Sequence, residues 1–159
     1  MFVEFPEDRA CETLDKQYML GDSLLVAPIF KESGEVDYYV PEGKWQNILT
    51  GETVEGGKWQ KETYDYFHMP LLARPNTILA VGNNSERPDY DYAEGITLYL
   101  VNMEDGKATE TAVTDLQGNT VLTVKARRNG KTVTVCAEGR TKHVTYKIMG
   151  NEELEVAVE

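Results

Sequence analysis

The sequence predicts a mainly β protein, made of one or two β-sandwiches behind a short strand-helix segment. From residue 36 onward, apolar side chains alternate with polar ones, as in strands with one buried face: Val36, Tyr38 and Val40 are examples. Short runs of this kind are separated by Gly and Pro at the spacing typical of sandwiches and barrels. An Asn-Gly pair at 129–130 lies between two alternating runs and predicts a hairpin with a type I′ turn.

The first thirty residues differ from this pattern and predict a strand, a helix and a second strand. Residues 2–5 form a short strand-like run closed by a proline, and residues 24–30 form a continuous apolar run. Between them, residues 8–20 are predicted as a helix, with acidic residues at its start and Gly21 after its end. Its apolar residues recur at the spacing of one helical face: they are Cys11, Leu14 and Tyr18.

The rest of the chain predicts two β modules joined by a polar, proline-containing linker at 82–95. We therefore divide the chain into a strand-helix segment at 1–23, a proximal β-sandwich at 24–82, and a partly complete distal β module at 83–159. The predicted proximal strands lie at 36–40, 44–49, 52–55 and 59–62, with two more within 69–81. The distal strands lie at 96–100, 112–113, 121–127, 131–137, 145–149 and 154–158.

Charge and composition exclude several classes of function. The formal net charge of −11 is spread along the chain and argues against a nucleic-acid partner or an anionic membrane surface, which both need clustered Lys and Arg. Cys11 and Cys136 are too few and too far apart for a disulfide framework or a zinc site, so we expect free thiols, no metal and no cofactor. With no bilayer-spanning apolar run and no signal peptide in the given sequence, a cytoplasmic location is expected.

Candidate catalytic residues are few. Glu4 with Glu7 or Asp8 could form the carboxylate pair of a glycosidase, but first-turn acids are common in helices and a charge-dipole role is favoured. His68 and His143 have no Gly-x-Ser-x-Gly nucleophile motif to serve, and they are interpreted as packing or strand-edge residues. No residue is assigned to catalysis, substrate binding or metal binding from these patterns.

Two further features have a structural and a functional interpretation. Gly51, Gly56 and Gly57 resemble a phosphate cradle only superficially, since a strand rather than a helix follows them, so turn glycines are expected. Aromatic residues cluster nearby and either pack in the core or form a platform for sugar rings, with packing favoured. These residues are Trp45, Trp59, Tyr64, Tyr66 and Phe67.

Several stretches resemble the C-terminal region of glycoside hydrolase family 31. They are FPED at 5–8, LDKQYMLGD at 14–22, LVAPIF at 25–30, VPEGKW at 40–45, LTGE at 49–52 and LLARPNTILA at 71–80. GNN at 82–84 and RPDY at 87–90 resemble the bacterial α-xylosidase branch of that family. The resemblance covers essentially the whole chain and is specific up to about residue 100.

The resemblance implies that residues 1–23 are the end of a (β/α)₈ barrel and that the rest is β-sandwich behind it. Family members cleave α-linked xylose or glucose with retention, using an aspartate nucleophile and a separate aspartate acid/base on earlier barrel strands. Nothing in this chain matches either motif, so no catalytic residue is carried over. The chain is therefore expected to be a non-catalytic region that supports the barrel of a parent enzyme and meets an α-xyloside or α-glucoside only through that parent.

Two alternatives stay open at this point: a carbohydrate-binding sandwich that uses exposed aromatics, and a plain structural or adhesion-type β domain. A barrel strand separated from its neighbours would leave an open backbone edge. Residues 2–5 are thus expected to fray, to fold back on the sandwich, or to pair with a second copy in a homo-oligomer.

Overall fold

The chain is mainly β, as predicted, and divides into two compact units. The computed structural model describes residues 1–140, 142–150 and 153–159. The first unit is Met1–Pro75 and the second is Asn76–Glu159. The units meet at 75/76, whereas the sequence placed a boundary at 82/83.

The first unit is a β-sandwich of a five-stranded and a two-stranded antiparallel sheet. Its strands are β1 (Tyr18–Leu20), β2 (Leu24–Val26), β3 (Glu35–Val40), β4 (Lys44–Asn47), β5 (Thr53–Glu55), β6 (Lys58–Thr63) and β7 (Leu71–Ala73). The larger sheet has the order β1-β2-β7-β4-β5, and β3 pairs with β6. Both sheets contribute to one core, because Leu25, Trp45 and Leu72 of the larger sheet cluster with Tyr38 and Val40 of β3.

The predicted strand at 2–5 and helix at 8–20 are wrong. Residues 2–4 form turns, and the only helical segment in this stretch is a five-residue 3₁₀ helix, Arg9–Thr13, capped by the Asp8 carboxylate. Leu14 is already extended, with φ −75° and ψ 109°. The segment is then held by Gln17, whose side-chain amide bonds the backbone of Tyr39 on β3. Tertiary contact thus overrides the helical spacing.

Of the three outcomes expected for residues 2–5, the segment folds back on the sandwich. Met1 and Phe5 pack against the core, and the Phe5 ring centroid lies 6.2 Å from that of Trp45. The Arg74 guanidinium stacks 4.6 Å from the Phe5 centroid and also pairs with the Glu4 carboxylate at 3.2 Å. The segment therefore belongs to the first unit.

The second unit also has two sheets around one core. Its strands are β8 (Thr77–Val81), β9 (Thr97–Val101), β10 (Ala108–Thr114), β11 (Thr120–Asn129), β12 (Thr132–Gly139), β13 (Thr145–Met149) and β14 (Glu155–Val158). One sheet has the order β10-β11-β12-β14 and the other β13-β9-β8, with β12–β14 and β13–β9 parallel. Leu98 and Leu100 of one sheet share a core with Leu122, Val124 and Val133 of the other.

Residues 82–95 contain no strand, as expected, but they pack onto the second unit. Ala93 is buried in the core, and Arg140 forms an ion pair with Asp91 at 2.5 Å. A side chain at Gly82 would overlap the Tyr90 hydroxyl, because a Cβ there would lie 1.7 Å from it. This polar stretch is therefore part of the unit's structure.

The hairpin between β11 and β12 forms at the expected place with a different turn. Asn129 pairs with Thr132, so the two loop residues are Gly130 and Lys131. Gly130 has a φ of +61°, whereas neither Asn129 nor Lys131 has a positive φ. A positive φ at the first loop residue alone is the pattern of a type II′ turn.

Candidate functional site

Two of the three candidate carboxylates, Glu4 and Asp8, have structural partners. Glu4 is engaged by Arg74, and the two Asp8 oxygens accept hydrogen bonds from the Ala10 N–H at 3.0 Å and the Tyr39 hydroxyl at 2.9 Å. Burial, and then the bond to Asp8, raises the pKa of Tyr39 to about 12. The Asp8 carboxylate therefore accepts a hydrogen bond from the protonated Tyr39 hydroxyl and also caps the 3₁₀ helix. Glu7 is exposed.

His68 lies in the first unit and His143 in the second. His68 Nδ1 lies 2.6 Å from Asp65 Oδ1. This bond, followed by one from the Phe67 N–H, holds the pKa of the exposed Asp65 carboxyl below its usual range. His143 has a left-handed backbone, with φ +56°. The pair His68–Asp65 stabilises a loop.

The glycines at 51, 56 and 57 are turn residues, as expected. The Gly56 N–H donates to the Gly43 carbonyl and the Gly57 N–H to the Val40 carbonyl, both at 2.8 Å. A Cβ at Gly56 would lie 1.8 Å from the Pro41 carbonyl oxygen. The amides that would have to bind a phosphate are thus used by the backbone itself.

The five clustered aromatics divide between the core and the surface. Trp45 is buried and its indole N–H donates to the Pro41 carbonyl at 2.8 Å, and Tyr64 is half-buried. Trp59 is 59% exposed, and Tyr66 and Phe67 are 96% and 82% exposed. The packing interpretation therefore holds for Trp45 and Tyr64 and fails for the other three.

Two of the exposed aromatics line a groove of the first unit, which we call the aromatic groove. It lies between the loops at 28–34 and 64–69, beside Leu49, and has a volume of about 930 Å³. Its exposed apolar side chains are Phe30, Leu49, Tyr66 and Phe67. Phe30 and Leu49 were not predicted as surface residues because both fall in runs predicted as strands, whereas β2 ends at Val26 and β4 at Asn47. The apolar run after Val26 was the available signal.

The groove's loops are fixed at their ends by backbone hydrogen bonds. The Tyr64 N–H donates to the Gly34 carbonyl and the Ala27 N–H to the Pro70 carbonyl, both at 3.1 Å. Within the second loop, Asp65 Oδ1 accepts from the Phe67 N–H at 2.9 Å. Tyr66 and Phe67 pack edge to face, with ring centroids 5.8 Å apart. The backbone that carries the exposed rings is therefore anchored at both ends of the loop.

A carboxylate bonded by two phenols supports the same loop from inside the sandwich. Glu62 Oε2 accepts from the Tyr38 hydroxyl at 2.7 Å and from the Tyr64 hydroxyl at 2.6 Å. The Asn47 side-chain amide donates to the Tyr64 oxygen at 3.3 Å and to the Met69 carbonyl at 3.4 Å. Burial, and then the bond to Glu62, raises the pKa of Tyr64 to about 12 and raises that of Tyr38 as well. Both phenols are thus protonated donors at neutral pH.

The described residues also bear on whether the chain has a metal site, a reactive thiol or a membrane-spanning helix. Among them, no three His, Cys, Asp or Glu side chains lie close enough together to hold a metal ion. Cys11 and Cys136 are free, and burial raises the pKa of the Cys11 thiol. Within the same residues, no helix has the length and apolar character needed to cross a bilayer.

Two family models match the chain in succession. Residues 1–79 match the glycosyl hydrolase family 31 C-terminal domain, and residues 91–159 match the C-terminal domain of alpha-xylosidase YicI. The two matches follow the two compact units closely.

Curated relatives and a solved structure agree with these matches. The chain is 31% identical to alpha-xylosidase XylQ of Lactiplantibacillus pentosus over 96% of its length, and 37% identical to an alpha-xylosidase of Emericella nidulans over 86%. It spans 20% and 19% of these relatives. The GH31 alpha-xylosidase of Xanthomonas citri shares the fold over the whole chain, with a TM-score of 0.69 and 20% identity, and the match covers 18% of that structure.

Proposed function

Because the chain belongs to the C-terminal region of glycoside hydrolase family 31, we propose that it is a non-catalytic β-sandwich region that supports the catalytic barrel of a retaining α-glycosidase. The observation that carries this proposal is the pair of C-terminal domain matches at 1–79 and 91–159. The chain spans only about a fifth of its α-xylosidase relatives, which leaves the barrel to the rest of such a protein.

The geometry of the first unit supports a non-catalytic role. Retaining glycosidases place two carboxyl groups about 5 Å apart, one as nucleophile and one as acid/base. Here Glu4 is paired with Arg74, and Asp8 accepts hydrogen bonds from Ala10 and Tyr39, so these two of the three candidate acids already have structural partners. In this proposal, the parent enzyme hydrolyses an α-xyloside or an α-glucoside with residues outside this chain. The names of two relatives favour an α-xyloside.

Residues 1–23 are the natural junction to the barrel in this proposal. They hold no strand-helix pair, yet they are anchored to the sandwich by Phe5, Gln17 and β1. A barrel that continues directly into this segment would be attached to a firmly packed base. The two free thiols favour a reducing compartment, and we therefore place the protein in the cytoplasm.

The proposal is tested by exchanging domains in the L. pentosus α-xylosidase XylQ. The segment of XylQ that this chain matches is deleted in one variant and replaced by this chain in another. We expect the deletion to inactivate rapidly on heating and the replacement to retain α-xylosidase activity much longer. A replacement that carries Trp45→Ala, which removes a buried core ring, should behave like the deletion. Equal thermal half-lives for the deletion and the replacement would contradict the supporting role.

A further inference from the structure

The aromatic groove exposes several large apolar side chains to solvent. Phe30 is 74% exposed, and Tyr66 and Phe67 are more exposed still. Together with Leu49 they line one groove, rather than being scattered singly over the surface. Contiguous apolar surface of this kind marks an interaction site, because it is otherwise unfavourable in water.

The groove also has the anatomy of a protein interface, with an apolar centre and a charged rim. At the rim, Lys31 lies 3.7 Å from Glu35 and 3.6 Å from Asp37. Asp65 and His68 are bonded to each other. A sugar site needs several polar groups directed at the hydroxyls of its ligand, whereas here Lys31, Asp65 and His68 are each engaged by a neighbouring ionisable side chain. An apolar protein surface fits the groove better than a carbohydrate does.

The loop that carries the exposed rings is ordered before such a contact forms. Backbone bonds hold both ends of the second loop, and Glu62, Tyr64 and Asn47 fix it from inside. The backbone of the loop is therefore already ordered before a partner covers Tyr66 and Phe67, and this lowers the entropic cost of association.

We propose that the aromatic groove is the surface on which the catalytic region of the parent polypeptide packs, with apolar side chains of that region inserted between Phe30, Tyr66 and Phe67. This inference rests on the proposed function and assigns the contact surface for it. The occupant follows from the length of the relatives: about four fifths of an α-xylosidase chain lies outside the segment matched here. A region of that size in the same polypeptide meets the groove at high effective concentration.

Hydroxyl-radical footprinting read by mass spectrometry tests the surface directly. The reactivity of individual side chains is compared between the free chain and the chain joined to the XylQ catalytic region. We expect Tyr66 and Phe67 to lose reactivity by about tenfold or more on joining, as for side chains at a desolvated interface centre. Trp59 is the internal control: it lies at the opposite end of the β3–β6 pair, beside Tyr39, and should keep its reactivity.

Paired variants test whether the contact stabilises the joined protein. Tyr66→Ser with Phe67→Ser should leave the melting temperature of the free chain nearly unchanged, because both rings are in solvent there. The same pair should shorten the thermal half-life of the joined enzyme severalfold. Trp59→Ser is the matched control and should leave that half-life unchanged.

Three results would overturn the assignment of the groove. The first is unchanged reactivity of Tyr66 and Phe67 in a joined enzyme that the chain nonetheless stabilises, an outcome that leaves the proposed function standing. The second is a free chain that sediments as a dimer with both rings already protected, which would make a second copy the occupant. The third is calorimetric heat with xyloglucan oligosaccharides that Phe67→Ser abolishes. By contrast, a joined enzyme no more stable than the deletion would refute the proposed function itself.

Discussion

Gly56 lies where a side chain would overlap the backbone, whereas Gly51, in the preceding loop, has free space around it. A Cβ there would meet the backbone oxygens of Pro41 and Gly43 at 1.8 and 3.0 Å, and backbone atoms cannot swing aside as a flexible side chain can. Gly51 has open space around it and a left-handed backbone, with φ +78°. Substitution of Gly56 therefore tests steric overlap with the backbone, whereas substitution of Gly51 tests the strain of a left-handed backbone.

We predict that Gly56→Ala lowers the free energy of unfolding by about 2 kcal/mol or more, because the turn must open to make room. Gly51→Ala, the matched control, should lower it by about 1 kcal/mol through left-handed strain alone. Urea denaturation of the two variants measures the difference. A Gly56→Ala protein as stable as Gly51→Ala would show that the turn is not as close as described.

Tyr64 is expected to make the free energy of unfolding depend on pH in the alkaline range. Its pKa is about 12 in the folded chain, above the ordinary tyrosine value of about 10, so the folded state keeps a proton that the unfolded state releases. The stability contributed by this group is complete below about pH 10 and is lost as the pH rises through about 12. Tyr38 and Tyr39 are shifted in the same direction.

We therefore expect the free energy of unfolding to fall as the pH rises above about 10. Tyr64→Phe should lower stability at neutral pH by about 1 kcal/mol, through the lost bond to Glu62, and should show a smaller alkaline fall than the unmodified chain. Urea titrations across this pH range measure both effects. Tyr66→Phe is the control, because its ring is in solvent. An identical alkaline fall with and without Tyr64 would contradict this role.

At the scale of elements, the side chain of Gln17 takes the place of a neighbouring strand for β3. Its amide donates to the Tyr39 carbonyl and accepts from the Tyr39 N–H, both at 2.7 Å, on the edge of β3 that is not paired with β6. Gln17 is buried, so both backbone groups depend on it. The segment between the 3₁₀ helix and β1 is fixed to the sandwich in this way.

Gln17→Ala should lower the free energy of unfolding by about 2 kcal/mol or more, because it leaves a buried donor and a buried acceptor unsatisfied. Gln60→Ala removes an exposed side-chain bond to the Glu55 carbonyl and should change stability by less than about 0.5 kcal/mol. Chemical denaturation compares the two. If both variants are equally stable, the Gln17 amide does not hold β3.

Period-two alternation predicted several strands but not β1, which lies within the segment predicted as a helix. It predicted β9 and the β11–β12 pair because alternate residues of these strands are buried, and it predicted β3 although Tyr38, Tyr39 and Val40 are all buried. The i, i+3, i+7 spacing of Cys11, Leu14 and Tyr18 misled because burial of Cys11 and the Gln17 bond require an extended chain after Thr13. Local spacing cannot anticipate such long-range hydrogen bonds.

The aromatic groove shows the same limit. Trp45 and Trp59 have similar sequence contexts, yet one is buried and the other is 59% exposed. Trp59 is opposite Tyr39 and so lies on the face of the β3–β6 sheet that points away from the core residues Tyr38 and Val40. The sequence identified Tyr66 and Phe67 as candidates, but only the ends of β2 and β4 bring Phe30 and Leu49 beside them. Which aromatics face outward depends on sheet pairing, and that is decided by the whole fold.

At the scale of the whole molecule, family membership and fold agree with the sequence, and the supporting role is the proposal that remains to be tested. The resemblance was recognised from short stretches at 5–52 and 71–90 and is matched by the two C-terminal domain models. In the first unit, Glu4 and Asp8 are engaged in structural contacts, and this observation supports the proposed role. Catalysis would belong to a barrel formed by other residues of a parent chain.

Hydrolysis of p-nitrophenyl α-xyloside by the folded free chain tests this account most directly. The chain is first shown to be folded by circular dichroism and by cooperative unfolding, and it is then assayed beside XylQ at equal molar concentration. We predict no release of nitrophenol above the uncatalysed rate. Turnover that co-purifies with the chain and is abolished by Glu4→Gln or Asp8→Asn would contradict the account, because it would place a working acid pair in the first unit.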